Sequence, residues 1–302
     1  MFKISYLVAV YNKGEFIIDA LNSILNEEKL AENIEIEVCV VDDGSSDDSF
    51  KLITENFGHR QNFKIARFPE NRGKNAAYNL AFTMSTGEYI CIFGADDTVV
   101  PGRTSAMLKA ALKTGKSIYG GLIAKDNSLN ETLYRQVPKS TAFYENVMGN
   151  KLSGGCSFLV RNHLLNVFPI PENLKFEDWW IAYLLTRDDL ACIIDSIVTT
   201  YRIHDSNDCG TSQISYESKK KDYTRHLPYF HEMRSIARDR FELSLIKRSE
   251  DLRLAFLNNS NYKALFPLHM DKYWLQLLCY LTIGPKIVLF SYSKIRAFRR
   301  QH

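Results

Sequence analysis

Strand-like and helix-like patterns alternate over the first hundred residues, and this alternation limits the possible folds more than any other feature. Short apolar runs rich in β-branched residues predict strands at 4–10, 36–41, 63–67 and 89–93. Helices are predicted at 17–25, at 74–84 and from Pro101 to Gly115. Another helix is predicted after the strand at 36–41, with Ser45 or Ser46 as its capping residue. Such connections join parallel strands, so this region predicts a mainly parallel sheet with helices on both faces.

Beyond residue 116 the alternation is less regular, but it still predicts an α/β domain. Further strands are predicted at 117–124, 156–160 and 191–203, with a short helix at 177–186. We therefore expect one domain over 1–210, with a first half at 1–100 and a second half at 101–210. From 211 to 302, helix-forming and charged residues predict a helical C-terminal region that is interrupted near Pro228.

Composition narrows the class of protein. A net charge of +3 is small for 302 residues and gives no reason to expect a nucleic-acid partner. The six cysteines show no zinc-ligand spacing, and three lie in apolar strand-like runs, which favours a reduced, cytoplasmic protein. We see no signal-peptide pattern, and no uncharged run reaches the ~20 residues that span a bilayer.

Two acidic pairs lie where predicted strands end. They are Asp42-Asp43 and Asp96-Asp97. In an open α/β sheet, ligands bind in the crevice beyond the carboxyl ends of the strands. Adjacent like charges repel there unless a divalent cation or ligand donors neutralise them. One pair placed for a nucleobase and one for a metal-bound diphosphate would suit an enzyme that uses a nucleotide sugar.

An ordered series of short motifs resembles the nucleotide-binding half of family 2 glycosyltransferases. The motifs are VAVYN at 8–12, VDDGSSD at 41–47, NRG at 71–73 with Ala77 and Asn79, GEYI at 87–90, and ADD at 95–97. Together with later signatures they cover residues 1 to about 205. The resemblance implies the GT-A fold, a Rossmann-like, mainly parallel mixed sheet flanked by helices, here with a helical C-terminal extension. Residues 1–100 would be the nucleotide-binding half and 101–210 the acceptor half.

The nucleotide-binding residues are predicted in the first half. Tyr11 can stack on a base, as the resemblance also implies, and Asp43 can accept a hydrogen bond from N3–H of uracil, which favours a UDP-sugar. Arg72 and Lys74, in a loop that opens a helix, would contact the nucleotide, although a solvated basic turn is the alternative. The predicted nucleotide-binding set is completed by Ala9, Asp42 and Asp96.

The second acidic pair resembles the DXD-type metal site of the family. A Mg²⁺ or Mn²⁺ ion there would bind carboxylate and phosphate oxygens. The usual first acid of the motif is replaced by Gly94. We expect Asp97 to be the direct ligand and Asp96 to contact ribose, or the metal through water, and the assignment between the two stays open. His204 would be a third metal ligand or a phosphate contact, with a surface histidine as the alternative.

A third acidic pair, Glu177-Asp178, resembles the family's pair at the start of a helix. An inverting transfer needs a carboxylate that takes the proton of the acceptor hydroxyl. The resemblance assigns this role of general base to Asp178, with Glu177 orienting it or holding the acceptor. The alternative is an acidic first turn of a helix.

Four more residues are predicted to contact the donor or acceptor sugar. Gly154 and Gly155 lie where the family places small residues beside the donor sugar, although a plain loop is the alternative. Trp179 would offer a flat apolar surface to a sugar ring, and Trp180 is its neighbour in the same set.

Residues 273–302 combine aromatic, apolar and basic side chains and contain no acidic residue. Such a segment predicts a peripheral contact with the inner face of the cytoplasmic membrane. A C-terminal helix packed on the domain is the alternative.

These features predict an inverting, metal-dependent glycosyltransferase that uses a UDP-sugar. It would act on a glycan or lipid-linked acceptor in the synthesis of a surface polysaccharide such as lipopolysaccharide or capsule. Two other classes stay open. A nucleotidyltransferase of sugar phosphates normally has a glycine-rich loop after the first strand, which residues 9–14 do not supply. A non-catalytic nucleotide-sugar-binding module would not need the acidic pair at 177–178.

Overall fold

A computed structural model of the chain describes residues 1–30, 33–205, 207 and 216–258. The chain divides into two compact units, Met1–Ile203 and His204–His302. The predicted membrane-contact segment, 273–302, lies outside the described residues. No helix in the described part of the chain is both long enough and apolar enough to cross a bilayer.

The first half of unit one has the predicted alternation. Its elements are β1 (Phe2–Val10), α1 (Ile17–Glu28), β2 (Ile34–Asp42), α2 (Ser49–Phe57), β3 (Phe63–Arg67), α3 (Lys74–Met84) and β4 (Tyr89–Gly94). The four strands pair in parallel in the order β3-β2-β1-β4. The central strand β1 is buried along nearly its whole length, as expected of a parallel strand covered on both faces.

The second half extends the same sheet with mixed strand directions. Its elements are β5 (Thr98–Val99), α4 (Arg103–Thr114), β6 (Ser117–Lys125), β7 (Thr132–Gln136), α5 (Phe143–Met148), β8 (Ser157–Val160), α6 (Glu177–Arg187) and β9 (Ala191–Arg202). The order continues as β4-β8-β6-β9-β5, with β7 beside β6. Strand β8 is antiparallel to both neighbours, whereas β6 and β9 are parallel. The sheet is therefore parallel in its first half and mixed in its second.

Strand register brings three strand ends together. Val10 at the end of β1 pairs with Asp42 at the end of β2, and Ala9 pairs with Gly94 at the end of β4. Asp43 follows β2 directly and Asp96 follows β4 after one residue, so both acidic pairs lie at the carboxyl ends of these strands. The described cysteines are free thiols, namely Cys39, Cys91, Cys156 and Cys192.

The predicted cap of α2 is wrong, because the helix begins only at Ser49. Ser45 and Ser46 instead tie the loop after β2 to the loop after β1. The backbone N–H of Asn12 donates to Ser45 Oγ at 2.9 Å, and the N–H of Ser46 donates to Asn12 Oδ1 at 2.9 Å. These two serines are therefore bonded across loops and not to the first turn of the helix.

The described part of unit two is helical, as predicted, but the predicted break near Pro228 is wrong. Helix α7 (Tyr216–Ser235) contains Pro228, and α8 (Arg240–Leu257) follows it. A proline within a helix loses one hydrogen bond and crowds the carbonyl four residues earlier, yet here the helix continues past it. The break comes later, before Asp239, whose side chain caps α8 by accepting from the N–H of Glu242.

Candidate active site

Asp43 joins the strand ends to the loop before α3. Its Oδ1 accepts a hydrogen bond from the N–H of Arg72 at 2.7 Å, and its Oδ2 accepts from the N–H of Gly73 at 2.9 Å. Burial raises the pKa of Asp43, although these two hydrogen bonds act in the opposite direction. Each oxygen keeps a second lone pair that could accept a hydrogen bond from a ligand.

Asp42 does not have the predicted exposure to a ligand. It is fully buried, and its Oδ2 lies 3.1 Å from Arg67 Nε and accepts from the N–H of Ser45 at 3.1 Å. A carboxylate without exposed surface cannot touch a nucleotide in this conformation. The expected nucleotide contact is therefore replaced by a structural role, in which Asp42 fixes the loop that carries Asp43.

Tyr11 and Ala9 lie at the end of β1, beside this loop. The side chain of Tyr11 is 46% exposed, so its ring can stack on a flat ligand. Gly44, next to Asp43, has φ of +69°, and a Cβ there would lie 2.5 Å from the carbonyl carbon of Glu70. Only glycine fits where the two loops come this close.

Lys74 reaches the second half of the domain. Its Nζ lies 2.8 Å from Glu177 Oε2 and 5.1 Å from the ring centroid of Phe176. Arg72 is half-exposed, and its guanidinium lies over the ring of Phe68. The alternative of a solvated basic turn does not hold for Lys74, which is in an ion pair. The contact of Arg72 and Lys74 with the nucleotide stays a prediction.

The second acidic pair is held by two cations. Lys13 Nζ lies 2.7 Å from Asp96 Oδ2. Arg202 donates from its backbone N–H to Asp97 Oδ1 at 3.0 Å and from Nε to the carbonyl oxygen of Asp96 at 3.0 Å. Burial, followed by the charge of Asp96, raises the pKa of Asp97 well above its ordinary value. A cation close to Asp97 would relieve this cost.

Gly94 leaves a space against this pair. A Cβ on Gly94 would lie 2.9 Å from Asp97 Oδ2 and 3.1 Å from Asp96 Oδ1. Two carboxylate oxygens therefore border one small space that any larger residue at position 94 would fill. Such oxygens are the ligands that Mg²⁺ and Mn²⁺ prefer.

Glu177 and Asp178 form the first turn of α6, where the helix dipole favours negative charge. Asp178 is partly buried, and its Oδ1 accepts from the N–H of Trp179 at 2.8 Å. Burial and then the charge of Glu177 raise the pKa of Asp178 to about 7, while Lys74 acts in the opposite direction. A carboxylate with such a pKa can take a proton near neutral pH.

The turn at Gly154–Cys156 lies between the second and third acidic pairs. A Cβ on Gly154 would lie 3.1 Å from Glu177 Oε1 and 3.2 Å from Asp178 Cβ. A Cβ on Gly155 would lie 3.7 Å from Asp97 Oδ2. The absence of side chains on these two glycines leaves the space between the pairs open.

Buried Tyr78 gives independent support for this convergence. Its hydroxyl donates to the carbonyl oxygen of Phe93 at 3.1 Å. Burial raises the pKa of Tyr78 well above its ordinary value. Four carboxylates raise it further, namely Glu177, Asp96, Asp97 and Asp178. The two pairs are therefore close enough to act on one hydroxyl group.

The tryptophans do not line the site as expected. Trp179 is 1% exposed and Trp180 is 5% exposed, and their indole N–H groups donate to the carbonyl oxygens of Asn146 and Val167. Side chains buried to this extent cannot offer a face to a sugar ring. Both are core residues that anchor α6, because that helix is buried on nearly all sides.

A third metal ligand is not found within the described residues. No group of three or more His, Cys, Asp or Glu side chains there is arranged to hold a metal ion. His204 belongs to unit two, where its N–H donates to Asn207 Oδ1 at 2.6 Å. Its role as a ligand stays a prediction.

Sequence patterns missed Lys13, Tyr78 and Arg202 as parts of the site. Arg202 had a usable signal, because it is the last residue of the long strand β9 and lies two residues before His204. Lys13 and Tyr78 had none, since a lysine in a turn and a tyrosine in a helix are ordinary residues there.

Comparisons with known proteins agree on one family. The family model described as Glycosyl transferase family 2 matches residues 5–161. Abequosyltransferase RfbV of Salmonella typhimurium is 32% identical over 118 residues, which make up 38% of this chain and 34% of that protein. The match thus spans about a third of the length of this curated relative.

Solved structures share the fold at low sequence identity. S. aureus TarS 1-349 in complex with UDP-GlcNAc has a TM-score of 0.63 at 17% identity, over 99% of this chain and 89% of that one. The mannosyltransferase PcManGT from Pyrobaculum calidifontis, in complex with GDP-Man and Mn²⁺, has a TM-score of 0.57 at 15% identity, over 99% and 84%. At these identities the likeness shows the fold alone.

Proposed function

The chain belongs to glycosyl transferase family 2 and has the GT-A fold, and we propose that it is an inverting, metal-dependent glycosyltransferase. The donor would be a UDP-sugar carrying a hexosyl or N-acetylhexosaminyl group. The acceptor would be a hydroxyl of a glycan or lipid-linked molecule in surface-polysaccharide synthesis, such as lipopolysaccharide or capsule. The place of action would be the cytoplasm, on the inner face of the membrane.

One observation carries this proposal: two acidic pairs converge on the turn at Gly154–Cys156, and a lysine holds one member of each pair. Lys13 contacts Asp96, and Lys74 contacts Glu177. Within the described residues, neither Asp97 nor Asp178 is in an ion pair. A donor sugar bound between them would have Asp97 on one side, which could bind a metal cation. On the other side it would have Asp178, which could take the proton of the acceptor hydroxyl.

The chemistry follows from this division. An oxygen of Asp178 takes the proton from the acceptor hydroxyl, and the acceptor oxygen forms a bond to the anomeric carbon of the donor sugar. The bond between that carbon and the diphosphate oxygen breaks, and the nucleoside diphosphate leaves with the electron pair. Because attack and departure occur on opposite faces, the anomeric configuration inverts.

The residues at the end of β4 fit a divalent cation. Asp97 and Asp96 would hold it, since their oxygens border the space left by Gly94, and phosphate oxygens of the donor would complete its ligands. A bound Mn²⁺ or Mg²⁺ would stabilise the negative charge of the departing diphosphate. The Mn²⁺ in the complex of the related mannosyltransferase supports this assignment.

The choice of uracil rests on Asp43 and Tyr11. Asp43 keeps lone pairs for the N3–H of the base, and the exposed ring of Tyr11 can stack on its face. The complex of TarS with UDP-GlcNAc supports a UDP-linked donor. Half-exposed Arg72 would contact the phosphates or ribose from the loop that binds Asp43.

Thermal unfolding and product release test the proposal together. A ligand that binds the folded state raises Tm, so we expect UDP-sugars with Mn²⁺ to raise it more than GDP- or dTDP-sugars. We then expect release of UDP on addition of a glycan acceptor, and loss of release on chelation of the metal. A preference for GDP-sugars would refute the role of Asp43 and Tyr11, and no response to any nucleotide would refute the proposed function.

A further inference from the structure

Arg103, at the start of α4, is a buried cation that the proposed reaction does not use. The residue is 2% exposed. No carboxylate among the described residues lies within ion-pair distance of its guanidinium. Burying a charge without a partner of opposite sign costs several kcal/mol unless other contacts compensate. The position therefore needs a physical explanation.

The guanidinium binds backbone carbonyls in and directly after the turn at Gly154–Cys156. Nη1 donates to the carbonyl oxygen of Gly155 at 2.8 Å, and Nη2 donates to the carbonyl oxygen of Ser157 at 2.7 Å. Nη1 also contacts Thr199 Oγ1 at 2.8 Å, and this hydroxyl itself donates to the Gly155 carbonyl at 2.6 Å. The carbonyl of Gly155 is thus held by two donors, and the same arginine holds the carbonyl of Ser157, the first residue of β8.

The arginine is fixed in turn by the core. Its guanidinium carbon lies 5.8 Å from the ring centroid of Tyr6 and 5.4 Å from that of Phe93. Both rings are buried and belong to the central strands β1 and β4, so the cation is packed against the core of the sheet. Its planar fork offers a separate nitrogen to each carbonyl, whereas a lysine has only one nitrogen.

The held turn is the element that separates the two acidic pairs. Gly154 faces Glu177 and Asp178, and Gly155 faces Asp97. A shift of this turn would change the space between the cation-binding carboxylate and the base. Cys156, in the same turn, has a thiol whose pKa is raised by burial, lowered by the charge of Arg103 and raised by the charge of Asp97. The arginine is therefore near the site.

We propose that Arg103 is a positioning residue that fixes the turn at Gly154–Gly155 and thereby determines which donor sugar fits between Asp97 and Asp178. The inference rests on the proposed function. It predicts that Arg103 affects the sugar part of the donor and not the nucleotide part, because the nucleotide would lie beside Asp43 at the far side of β1.

Titration calorimetry with UDP and with a panel of UDP-sugars, each with Mn²⁺, tests this proposal. The readout is the ratio of the Kd for UDP to the Kd for each UDP-sugar, which isolates the contribution of the sugar. For Arg103→Met we expect the Kd for UDP to stay within about twofold, while the sugar ratios change roughly 10- to 100-fold and the order of preferred sugars changes. Thr199→Val should change the ratios less but in the same direction. The ratios of Arg103→Lys should lie between those of Arg103→Met and those of wild type.

Arg161→Met is the matched control. Arg161 also donates to a backbone carbonyl and a hydroxyl, those of Gly87 and Ser85, and lies over an aromatic ring, but it does so before the start of β4. We expect it to lower Tm without changing the sugar ratios. Unchanged ratios in the Arg103 and Thr199 variants that still bind UDP would overturn the role of Arg103 alone. Absence of nucleotide binding by wild type would overturn the proposed function and this inference with it.

Discussion

At the scale of single residues, the site depends on how charges are compensated. Lys13 and Lys74 each contact one carboxylate of an acidic pair, at 2.7 and 2.8 Å. The remaining carboxylates, Asp97 and Asp178, have raised pKa values because burial disfavours their charged forms. We propose that a metal cation neutralises Asp97 and that Asp178 accepts a proton.

The pKa of Asp178 predicts how the rate depends on pH. A base must be deprotonated to act, and burial raises the pKa of Asp178 to about 7. The rate of transfer should therefore fall about tenfold per pH unit below pH 7 and reach a plateau above it. Steady-state rates measured between pH 5 and 9, with UDP affinity measured at each pH as a control, test this. A rate that stays constant down to pH 5 would contradict the role of Asp178.

Gly94 predicts a steric test of the metal site. A methyl group at this position would lie 2.9 Å from Asp97 Oδ2, so Gly94→Ala should weaken Mn²⁺ binding roughly tenfold or more. Electron paramagnetic resonance of free Mn²⁺ measures this without any turnover. Gly58→Ala is the matched control, because a Cβ there also meets an atom at 2.5 Å, the carbonyl oxygen of Thr54 in α2. Equal Mn²⁺ binding by wild type and Gly94→Ala would contradict the site.

At the scale of elements, α3 connects the two halves of unit one. The loop before it binds Asp43, and its first residue, Lys74, contacts Glu177. One turn later, Asn79 bonds both backbone groups of Ile170, at 2.7 and 2.8 Å. The loop that binds Asp43 and the segment leading to Asp178 are therefore attached to the same helix.

The opposite ends of the strands contain a second charged cluster that serves stability. Burial alone would raise the pKa of Glu37 in β2, but hydrogen bonds from Lys64, Ser5 and Thr86 outweigh burial and lower the pKa to about 2. A depressed pKa adds stability that is present above the unfolded value near pH 4.5 and is lost as pH falls towards 2.

We expect Glu37→Gln to lower the free energy of unfolding by about 3 kcal/mol at pH 7, and by progressively less below pH 4.5. Chemical denaturation at several pH values measures this. Glu35→Gln is the control, because Glu35 lies in the same strand as Glu37 but forms a partly exposed pair with Lys3 of β1, and its loss should cost less than about 1 kcal/mol. Equal costs at pH 7 and pH 3 would contradict the account of Glu37.

Elements with clear periodicity could be predicted from sequence, and those without it could not. Strands β1, β2 and β4 are mostly buried apolar runs, and β3 is a shorter, partly exposed strand between two predicted helices, so the alternation with helices was visible. Strand β7 is mostly exposed, β5 has two residues and α5 has six, so none of these produces a pattern. The tryptophans of α6 were misplaced because their burial depends on what packs around the helix.

The same limit applied to the site. Carboxylates at strand ends could be predicted, because topology alone brings strand ends together. Arg103 could not be recognised, since a long basic side chain near a loop is usually exposed, whereas Arg202 had only its position at the end of a strand as a signal. Only tertiary packing shows that both are buried and bonded to the site's backbone.

At the scale of the whole molecule, the chain combines unit one, which contains the candidate site, with unit two, which is helical over 216–258. The membrane contact of residues 273–302 stays a prediction from sequence. Their basic and apolar side chains and lack of acidic residues suit an anionic lipid surface.

Co-sedimentation with vesicles tests this segment. We expect the full chain to pellet with vesicles containing phosphatidylglycerol, less so at high salt, and a chain ending at Asn258 to stay in the supernatant. Replacing Lys294, Arg296, Arg299 and Arg300 by serine should weaken pelleting while keeping the apolar residues. Equal pelleting of all three proteins would rule out a membrane role for 273–302.

The central claim is that Asp97 and Asp178 serve one site in different ways. The most direct measurement compares Asp97→Asn and Asp178→Asn in Mn²⁺-dependent binding of UDP and in release of UDP from a UDP-sugar with acceptor. We predict that Asp97→Asn loses the Mn²⁺-dependent part of UDP binding, whereas Asp178→Asn binds UDP like wild type and transfers at least 100-fold more slowly. Retained transfer by Asp178→Asn, or unchanged Mn²⁺-dependent binding by Asp97→Asn, would contradict the account.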